Sequence, residues 1–582
     1  MQSWGIAIAL GEGVAQNKNA AGRRAGQSAN MGRGATGSMN IPTKSRTGPV
    51  GAGQPWWRGA VIYQIYPRSY MDANGDGIGD LQGITQKMDY IASLGVDGIW
   101  ISPVFASPMK DFGYDVSDYC SVDPIFGTLE DFDRLLEVAH ACGLRVIIDQ
   151  VYAHTSDLHA WFAESRQSRN NPKADWYVWK DARPDGAPPN NWQAVFGGAA
   201  WTWDARRQQY YMHNFLPGQP QLNVHNTDVQ EALLAAARFW LDRGVDGFRL
   251  DAINFAMHDE AFRDNPPWDP AGRTITRPFD LQHRVYNQSQ PGVVKFLERV
   301  RSLTDEYGAV FTVAEVACED PLPVMRAYTE GETHLSSAYN FDFLYAPNLT
   351  AKRVRRSQSN WLGPVSEGWP SWAFSNHDAP RCVSRWYQGQ DRARYAKLTN
   401  ALLLSLRGNP ILYQGEELGL TQVEVKFEDL QDPEAIANWP LTLGRDGART
   451  PMAWSRGNDY AGFSEAKPWL PIGEDHPGVS AEVQESDPDS VLNFTRRFLK
   501  VRDASPALRL GDVQFAEGAG ELLVMTRSSA DETVVSIFNL GSAAEDLPAG
   551  VSPEGDVLIS SGWPEGEVGR SVPPYSVLVL RR

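Results

Sequence analysis

The sequence predicts an α/β chain built on a (β/α)8 TIM barrel, with an inserted subdomain after strand three and a C-terminal antiparallel β domain. Three observations predict it. Short β-branched or aromatic runs alternate with stretches whose apolar residues recur at helical spacing. Polar clusters stand where the strand-like runs end. Near the C-terminus the helical period gives way to extended runs separated by Gly, Pro and Asp turns.

Taken in order, residues 1–54 form a low-complexity lead of Gly, Ala, Ser and Asn, expected to be disordered and excluded from the fold. Val61–Tyr66 is the first strand. Leu81, Ile84, Met88 and Ile91 then predict one helix that Gly95 stops. Val96–Ser102 is the second strand, and Leu129, Phe132, Leu136 and Ala139 mark the next helix, with Thr128 as its N-cap. Leu144–Asp149 is the third strand. The rhythm then breaks for about seventy residues rich in Trp, Tyr, Asn and Pro, an insertion of the length that carries function. A helix opens near Asn226 and runs to Arg243. The remaining strands start at Val245 and at Ala309–Glu315, Ala338–Leu344, Trp372–Ser375 and Pro410–Tyr413. The barrel therefore occupies 55–154 and 224–504, the insertion 155–223, and a C-terminal β-sandwich domain 505–582.

Composition bounds the function. A formal net charge of −17 over 582 residues argues against nucleic acid or an anionic membrane as partner. No apolar run approaches the roughly 20 residues that span a bilayer. The four cysteines (Cys120, Cys142, Cys318 and Cys382) are scattered without a CxxC pair, which predicts free thiols in a reducing compartment. A cytoplasmic location is expected, with the periplasm left open, for a monomer or homodimer.

The chemistry gathers at strand ends. Arg249 and Asp251 lie two residues apart in an apolar strand, so they share a face. Burying both costs several kcal/mol per ion unless they are paired or employed. The second strand leads into Gly113-Tyr-Asp115, the third into Asp149 and His154, the fifth ends at Glu315, and the seventh runs into Asn376-His-Asp378. In a barrel these ends converge on one mouth. Carboxylates, histidines and arginines in a single cleft suit acid/base and nucleophilic chemistry at an acetal.

The stretches Asp149-Gln-Val-Tyr-Ala-His154, Gly247-Phe-Arg-Leu-Asp251, Val313-Ala-Glu315 and Ser375-Asn-His-Asp378 resemble the four ordered blocks of the α-amylase family, glycoside hydrolase family 13. Pro55-Trp-Trp, the run from Ala60 to Ser69 and Ala448-Arg-Thr-Pro-Met452 resemble its α-glucosidase and oligo-1,6-glucosidase branch. The resemblance implies that Asp251 is the nucleophile, kept ionised by Arg249, and that Glu315 is the general acid and then the base. A retaining reaction needs these carboxyls about 5–5.5 Å apart. Asp378 is expected to bind the sugar's 2- and 3-hydroxyls. Asp115, His154, His377 and Arg445 are expected to hold the terminal glucose, with Arg449 as competitor for the arginine's place, and Tyr114 to stack on the ring.

In Asp72-Ala-Asn-Gly-Asp-Gly-Ile-Gly-Asp80, oxygen donors at alternate positions and glycine at the sixth match the start of a calcium loop. Asp72, Asn74, Asp76, the Ile78 carbonyl and Asp80 are the expected ligands of a structural Ca2+ or Mg2+. Gly83 at position twelve excludes an EF-hand. No organic cofactor is expected. Three positions depart from the family pattern. Ala153 replaces the usual asparagine, so no second metal is expected, and Gln221 stands where the branch often has aspartate. Ala252, beside Asp251, accompanies α-1,4 rather than α-1,6 cleavage. The resemblance thus implies a retaining exo-acting α-glucosidase acting on small oligosaccharides or disaccharides. The alternative is a sucrose-acting hydrolase or transglucosylase of the same family.

Overall fold

The computed structural model describes residues 54–269, 275–364, 367–442, 444–518, 520–564 and 568–582. Apart from Gln54, the expected disordered lead lies outside these residues. All eight expected barrel strands form: β1 (Ile62–Ile65), β2 (Gly98–Ile101), β3 (Arg145–Val151), β4 (Gly247–Asp251), β5 (Phe311–Val316), β6 (Ser337–Asn340), β7 (Ser371–Ala373) and β8 (Asn409–Tyr413). They lie in the order β6-β5-β4-β3-β2-β1-β8-β7, all parallel, and a bridge between Ala338 and Pro370 joins the two edges.

Every residue of β1, β2, β4, β5 and β8 is buried, as parallel strands covered by helices must be. Alternation divides their side chains between two cores. Ile62, Trp100, Ile147, Phe311, Val313, Tyr339 and Ile411 pack inside the barrel. Phe248, Leu250 and Ala314 face outward into the shell of helices. Gly247 lets β4 run close to β5, since a Cβ there would come 2.7 Å from the Phe311 carbonyl oxygen. Two residues further on, Arg249 opens a polar layer above the apolar one.

The helices start where the sequence places them. Thr128 and Asp131 form a reciprocal capping box ahead of α1 (Leu129–Ala141), and Asn226 caps α2 (Thr227–Asp242). The single helix expected before Gly95 is two, Leu81–Gln86 and Met88–Leu94, broken at Lys87. Gly95 ends the second at φ 95°, a left-handed cap that glycine adopts without strain.

The insertion contains a short helix, Ala160–Ser165, and a three-stranded antiparallel sheet of Trp179–Lys180, Gln209–Met212 and Trp201–Asp204. The C-terminal domain is one five-stranded antiparallel sheet with a two-stranded ribbon, Glu545–Asp546 paired with Ser571–Val572. One of its strands, Asp512–Phe515, was not expected from the sequence: with Gly511 before it and only two apolar residues, its alternation is too short to register. All four cysteines are free. Among the described residues no helix is long and apolar enough to cross a membrane.

Candidate active site

Arg249 is the hub of the barrel mouth. Its guanidinium is fully buried and contacts three carboxylates: Nη1 lies 2.6 Å from Asp149 and 2.5 Å from Asp251, and Nη2 lies 2.6 Å from Glu315. Strand register produces this convergence, because Arg249 pairs with Asp149 on β3 and with Val313 on β5, two residues before Glu315. Tyr339 on β6, opposite Glu315, puts its hydroxyl 3.1 Å from Nη2 and donates to Glu315 Oε1 at 3.4 Å. Trp100 donates its indole N–H to Asp149 at 2.8 Å. The backbone N–H of Ala252 donates to Glu315 Oε2 at 3.0 Å.

One guanidinium cannot neutralise three buried carboxylates, so protons are retained. Burial pushes Asp149 up to about 6 and both Asp251 and Glu315 up to about 7, with the Arg249 charge opposing it. Asp251 and Glu315 are a coupled pair that together hold a proton near neutral pH.

Asp378 is the opposite case. Burial would raise its pKa, but the surrounding cations hold it well below the usual carboxylate range. Arg449 lies 2.8 Å away and Arg445 3.4 Å. His377, 3.2 Å from Asp378, is the strongest of those cations where Asp378 takes up its proton; burial lowers its own pKa to about 3, so near neutral pH the ring is uncharged and the arginines alone face the carboxylate. Gln64 donates its amide N–H to His377 Nδ1 at 2.8 Å, so the ring proton sits on Nε2, facing Asp378 and the Tyr114 hydroxyl at 2.7 Å.

A cavity of about 460 Å³ opens over this layer, with Asp251, Glu315 and Asp378 in its wall. Tyr114, His154 and Arg445 line it as expected. Arg249 and His377 do not reach the wall; they stand behind the carboxylates and orient them. Burial lowers His154 to about 4, and its Nε2 meets the Gln219 side chain at 3.1 Å.

Asp115, like His377, does not reach the cavity wall. It is wholly buried, and its carboxylate is consumed by its own loop, accepting from Ser107 Oγ and from the Lys110 and Asp111 amides at 2.9–3.0 Å. Asp111 takes its place in the wall, bonded to Arg445 at 2.8 Å and to Gln219 at 3.0 Å. Arg445 also pairs with Asp432 at 2.8 Å, which stands behind the wall. Asp111 and Asp432 carry no mark in the sequence beyond their type. Asp432 is read locally as a helix N-cap, a role it also fills by accepting from the Glu434 amide.

The insertion supplies Val195, Phe196, Phe215 and Gln219 to one side of the cavity, next to Ala252, Phe255 and Phe279. Gln221 lies behind this wall, where it accepts from Asn214 and donates to the Phe255 carbonyl. At the rim Arg277 pairs with Glu434 at 2.9 Å, tying the β4–β5 connection to the segment after β8.

No residue of the loop from Asp72 to Asp80 lines this cavity. Asp72 accepts from the Asn74, Gly75 and Gly77 amides, Asn74 from Asp76, Asp76 from Ile78, and Asp80 from Ala73 and Gly83. Asp72 and Asp80 are buried and pair with no Lys or Arg among the described ion pairs; burial raises the pKa of Asp80, and the charge of Asp72 adds to the shift. Such an all-oxygen set with uncompensated negative charge fits a hard cation. The described residues do not, however, bring three or more His, Cys, Asp or Glu together as a metal cluster.

A coupled carboxyl pair at the mouth of a (β/α)8 barrel, with a third carboxylate held ionised, defines a glycoside-processing site. Residues 64–511 match the model of the α-amylase catalytic domain, and the chain belongs to that family, glycoside hydrolase family 13. It is 54% identical to a probable α-glucosidase of Rhizobium meliloti over 88% of this chain and 94% of that one. It is 38% identical to an oligo-1,6-glucosidase of Heyndrickxia coagulans over 83% and 92%. Among solved structures it is similar to the α-glucosyl transfer enzyme XgtA (TM-score 0.86, 50% identity, 91% of this chain and 99% of that one). It is also similar to the trehalulose synthase MutB of Pseudomonas mesoacidophila MX-45 (TM-score 0.83, 33% identity, 91% and 100%).

Proposed function

We propose that the protein is a retaining, exo-acting α-glucosidase that releases terminal α-1,4-linked glucose from short oligosaccharides. The observation that carries this reading is the single guanidinium of Arg249 gripping Asp251 and Glu315 through its two Nη atoms, which suits the short carboxyl separation of a retaining pair. Asp251 attacks the anomeric carbon while Glu315 passes its proton to the departing glycosidic oxygen. Glu315 then takes a proton from water as that water's oxygen displaces Asp251, returning both carboxyls to their starting states. Asp378, ionised, faces the sugar and offsets the positive charge that develops on it. The small side chain of Ala252 beside Asp251 supports the α-1,4 preference.

An NMR time course with maltose, isomaltose, sucrose and soluble starch tests this. Initial release of α-glucose from maltose with starch untouched is expected; initial β-glucose would overturn retention.

A second reading, glucosyl transfer to a sugar or other alcohol, or action on sucrose, has specific support. One side of the cavity is aromatic, and XgtA and MutB are a transfer enzyme and a trehalulose synthase. New linkages forming ahead of free glucose in the same time course would establish it.

The proposal extends to a structural Ca2+ or Mg2+ held by Asp72, Asn74, Asp76, Asp80 and the Ile78 carbonyl. When bound, the ion would offset the buried carboxylates of the loop. Added Ca2+ should raise Tm in the parent and leave Asp72→Ala unmoved; an equal response in both, or none in either, would remove the metal from the account.

A further inference from the structure

Ile62 on β1 packs inside the barrel, so Gln64, two residues on, enters the polar layer above it. Gln64 is fully buried, and its Nε2 lies 2.8 Å from His377 Nδ1 and 3.5 Å from Ser102 Oγ. Its Oε1 has no hydrogen-bond partner among the described residues. A buried carbonyl oxygen left unpaired is costly, so the amide is held there for its N–H. The far side of the ring fixes what that N–H must meet. His377 Nε2 lies 3.2 Å from Asp378 Oδ2 and 2.7 Å from the Tyr114 hydroxyl. Asp378 is held ionised and can only accept, so the ring proton stands on Nε2. Nδ1 is then a bare lone pair, and Gln64 is its one donor among the described residues. The ring is also fixed in place. Tyr66 and Tyr114 stack on it with centroids 5.6 and 5.4 Å away, and its backbone carbonyl accepts from Arg449 Nε at 2.7 Å.

We propose that Gln64 is a positioning residue: it locks His377 as the neutral Nε2–H tautomer, so that Asp378 meets the sugar as an aimed and uncompensated carboxylate. The inference rests on the α-glucosidase reading and deepens it. The other groups facing the ring leave this choice to Gln64. Arg449 is committed to the His377 carbonyl and to Asp378, and Arg445 to Asp111, Asp432 and Asp378. Arg249 is committed to Asp149, Asp251 and Glu315. Burial holds the Tyr66 and Tyr114 hydroxyls protonated. A carboxylate in place of the amide would accept from Nδ1 instead. While it and the ring share two protons, the ring is an imidazolium between two carboxylates. When one proton leaves, the other stays on Nδ1, and Nε2 turns its lone pair towards Asp378. Either state spoils the field that offsets the charge on the sugar.

Gln64→Glu and Gln64→Met, both close to glutamine in size, separate tautomer control from packing. In protein labelled with 15N-histidine, the His377 signals are assigned by their loss in His377→Asn. The parent is expected to show the neutral Nε2–H form between about pH 5 and pH 8. Gln64→Glu should carry a proton on Nδ1 throughout, and Gln64→Met should not. For maltose, kcat should fall by about thirtyfold or more in Gln64→Glu and by less than about tenfold in Gln64→Met, with KM within about threefold in both. A proton on Nδ1 in the parent, a bare Nδ1 in Gln64→Glu, or equal losses of kcat in the two folded variants overturns the proposal. Neutron diffraction of the parent decides even if neither variant folds: deuterons are expected on Gln64 Nε2 and His377 Nε2, and one on His377 Nδ1 overturns it. Failure of the parent to cleave maltose would instead strike the α-glucosidase reading, because the ring's protonation is read without turnover.

Discussion

Ala252 donates its backbone N–H to Glu315 at 3.0 Å from a left-handed conformation, φ 40° and ψ 37°. A non-glycine residue there carries roughly 1–2 kcal/mol of strain, which the contact with Glu315 helps to hold in place. Valine would be worse, because its branched Cβ is least tolerant of positive φ. Ala252→Val is expected to destabilise the protein by about 1–3 kcal/mol in urea unfolding. Its maltose-to-isomaltose ratio of kcat/KM should drop at least tenfold. An unchanged ratio would detach linkage preference from this position.

Removing a carboxylate from the Arg249 cluster should trade activity for stability. Asp251→Asn is expected to lower kcat by at least about ten-thousandfold, near 5.5 kcal/mol of barrier. The same variant should gain stability as pH rises. Asp251 is held at about 7 in the folded state, above its unfolded value, so it costs nothing at low pH and becomes a penalty as pH climbs from about 4 to about 7. Asparagine has no such penalty. The unfolding free energy of the variant relative to the parent should therefore increase across that window, at most about 1.4 kcal/mol per pH unit, and level off above it, as read by urea unfolding at each pH. A constant difference would mean that Asp251 is not a raised acid.

The shared proton also shapes the rate. With Asp251 and Glu315 both near 7, kcat/KM should be greatest close to neutrality and fall on either side as the pair gains or loses a proton. Asp378 titrates far below this range and contributes to neither limb. Glu315→Gln should abolish the alkaline limb with substrates whose leaving group needs no proton, such as 2,4-dinitrophenyl α-glucoside, while maltose hydrolysis is lost. Persistence of that limb would point to another acid.

Asp111 and Asp115 should separate cleanly. Asp111→Asn breaks the pair with Arg445 in the cavity wall and is expected to raise KM for maltose at least tenfold. Asp115→Asn keeps one acceptor but disturbs three bonds within its loop, so a loss of about 1–3 kcal/mol in stability with KM within threefold is expected. The reverse pattern would return Asp115 to the substrate.

This pair marks the boundary of what the sequence reveals. All eight barrel strands were legible because parallel strands buried on both faces leave continuous apolar runs, and the polar residues that end those runs stand out. Asp251, Glu315 and Asp378 are legible for that reason. Asp111 and Asp115 both flank Gly113 in one loop, and only the loop's path decides which carboxylate turns inward. Arg445 and Arg449 posed the same problem, and both reach Asp378, one from the wall and one from behind. Asp432 was hidden by a sufficient local reason for its presence. The break at Lys87 escaped because the apolar spacing runs straight across it.

The barrel is fastened unevenly. Seven neighbouring pairs of strands are joined by ladders, but among the described residues β6 and β7 share one backbone bridge, between Ala338 and Pro370, beside the bonds of the Ser337 hydroxyl to Ser371 and to the Trp369 carbonyl. Local opening is easiest where the fewest bonds must break. Tyr339 follows Ala338 directly, and its hydroxyl accepts from Arg249 and donates to Glu315. A seam that breathes on warming would loosen that hydroxyl first, while the other seven joints still hold. Heat would then disarm the chemistry of this protein before it unravels the chain.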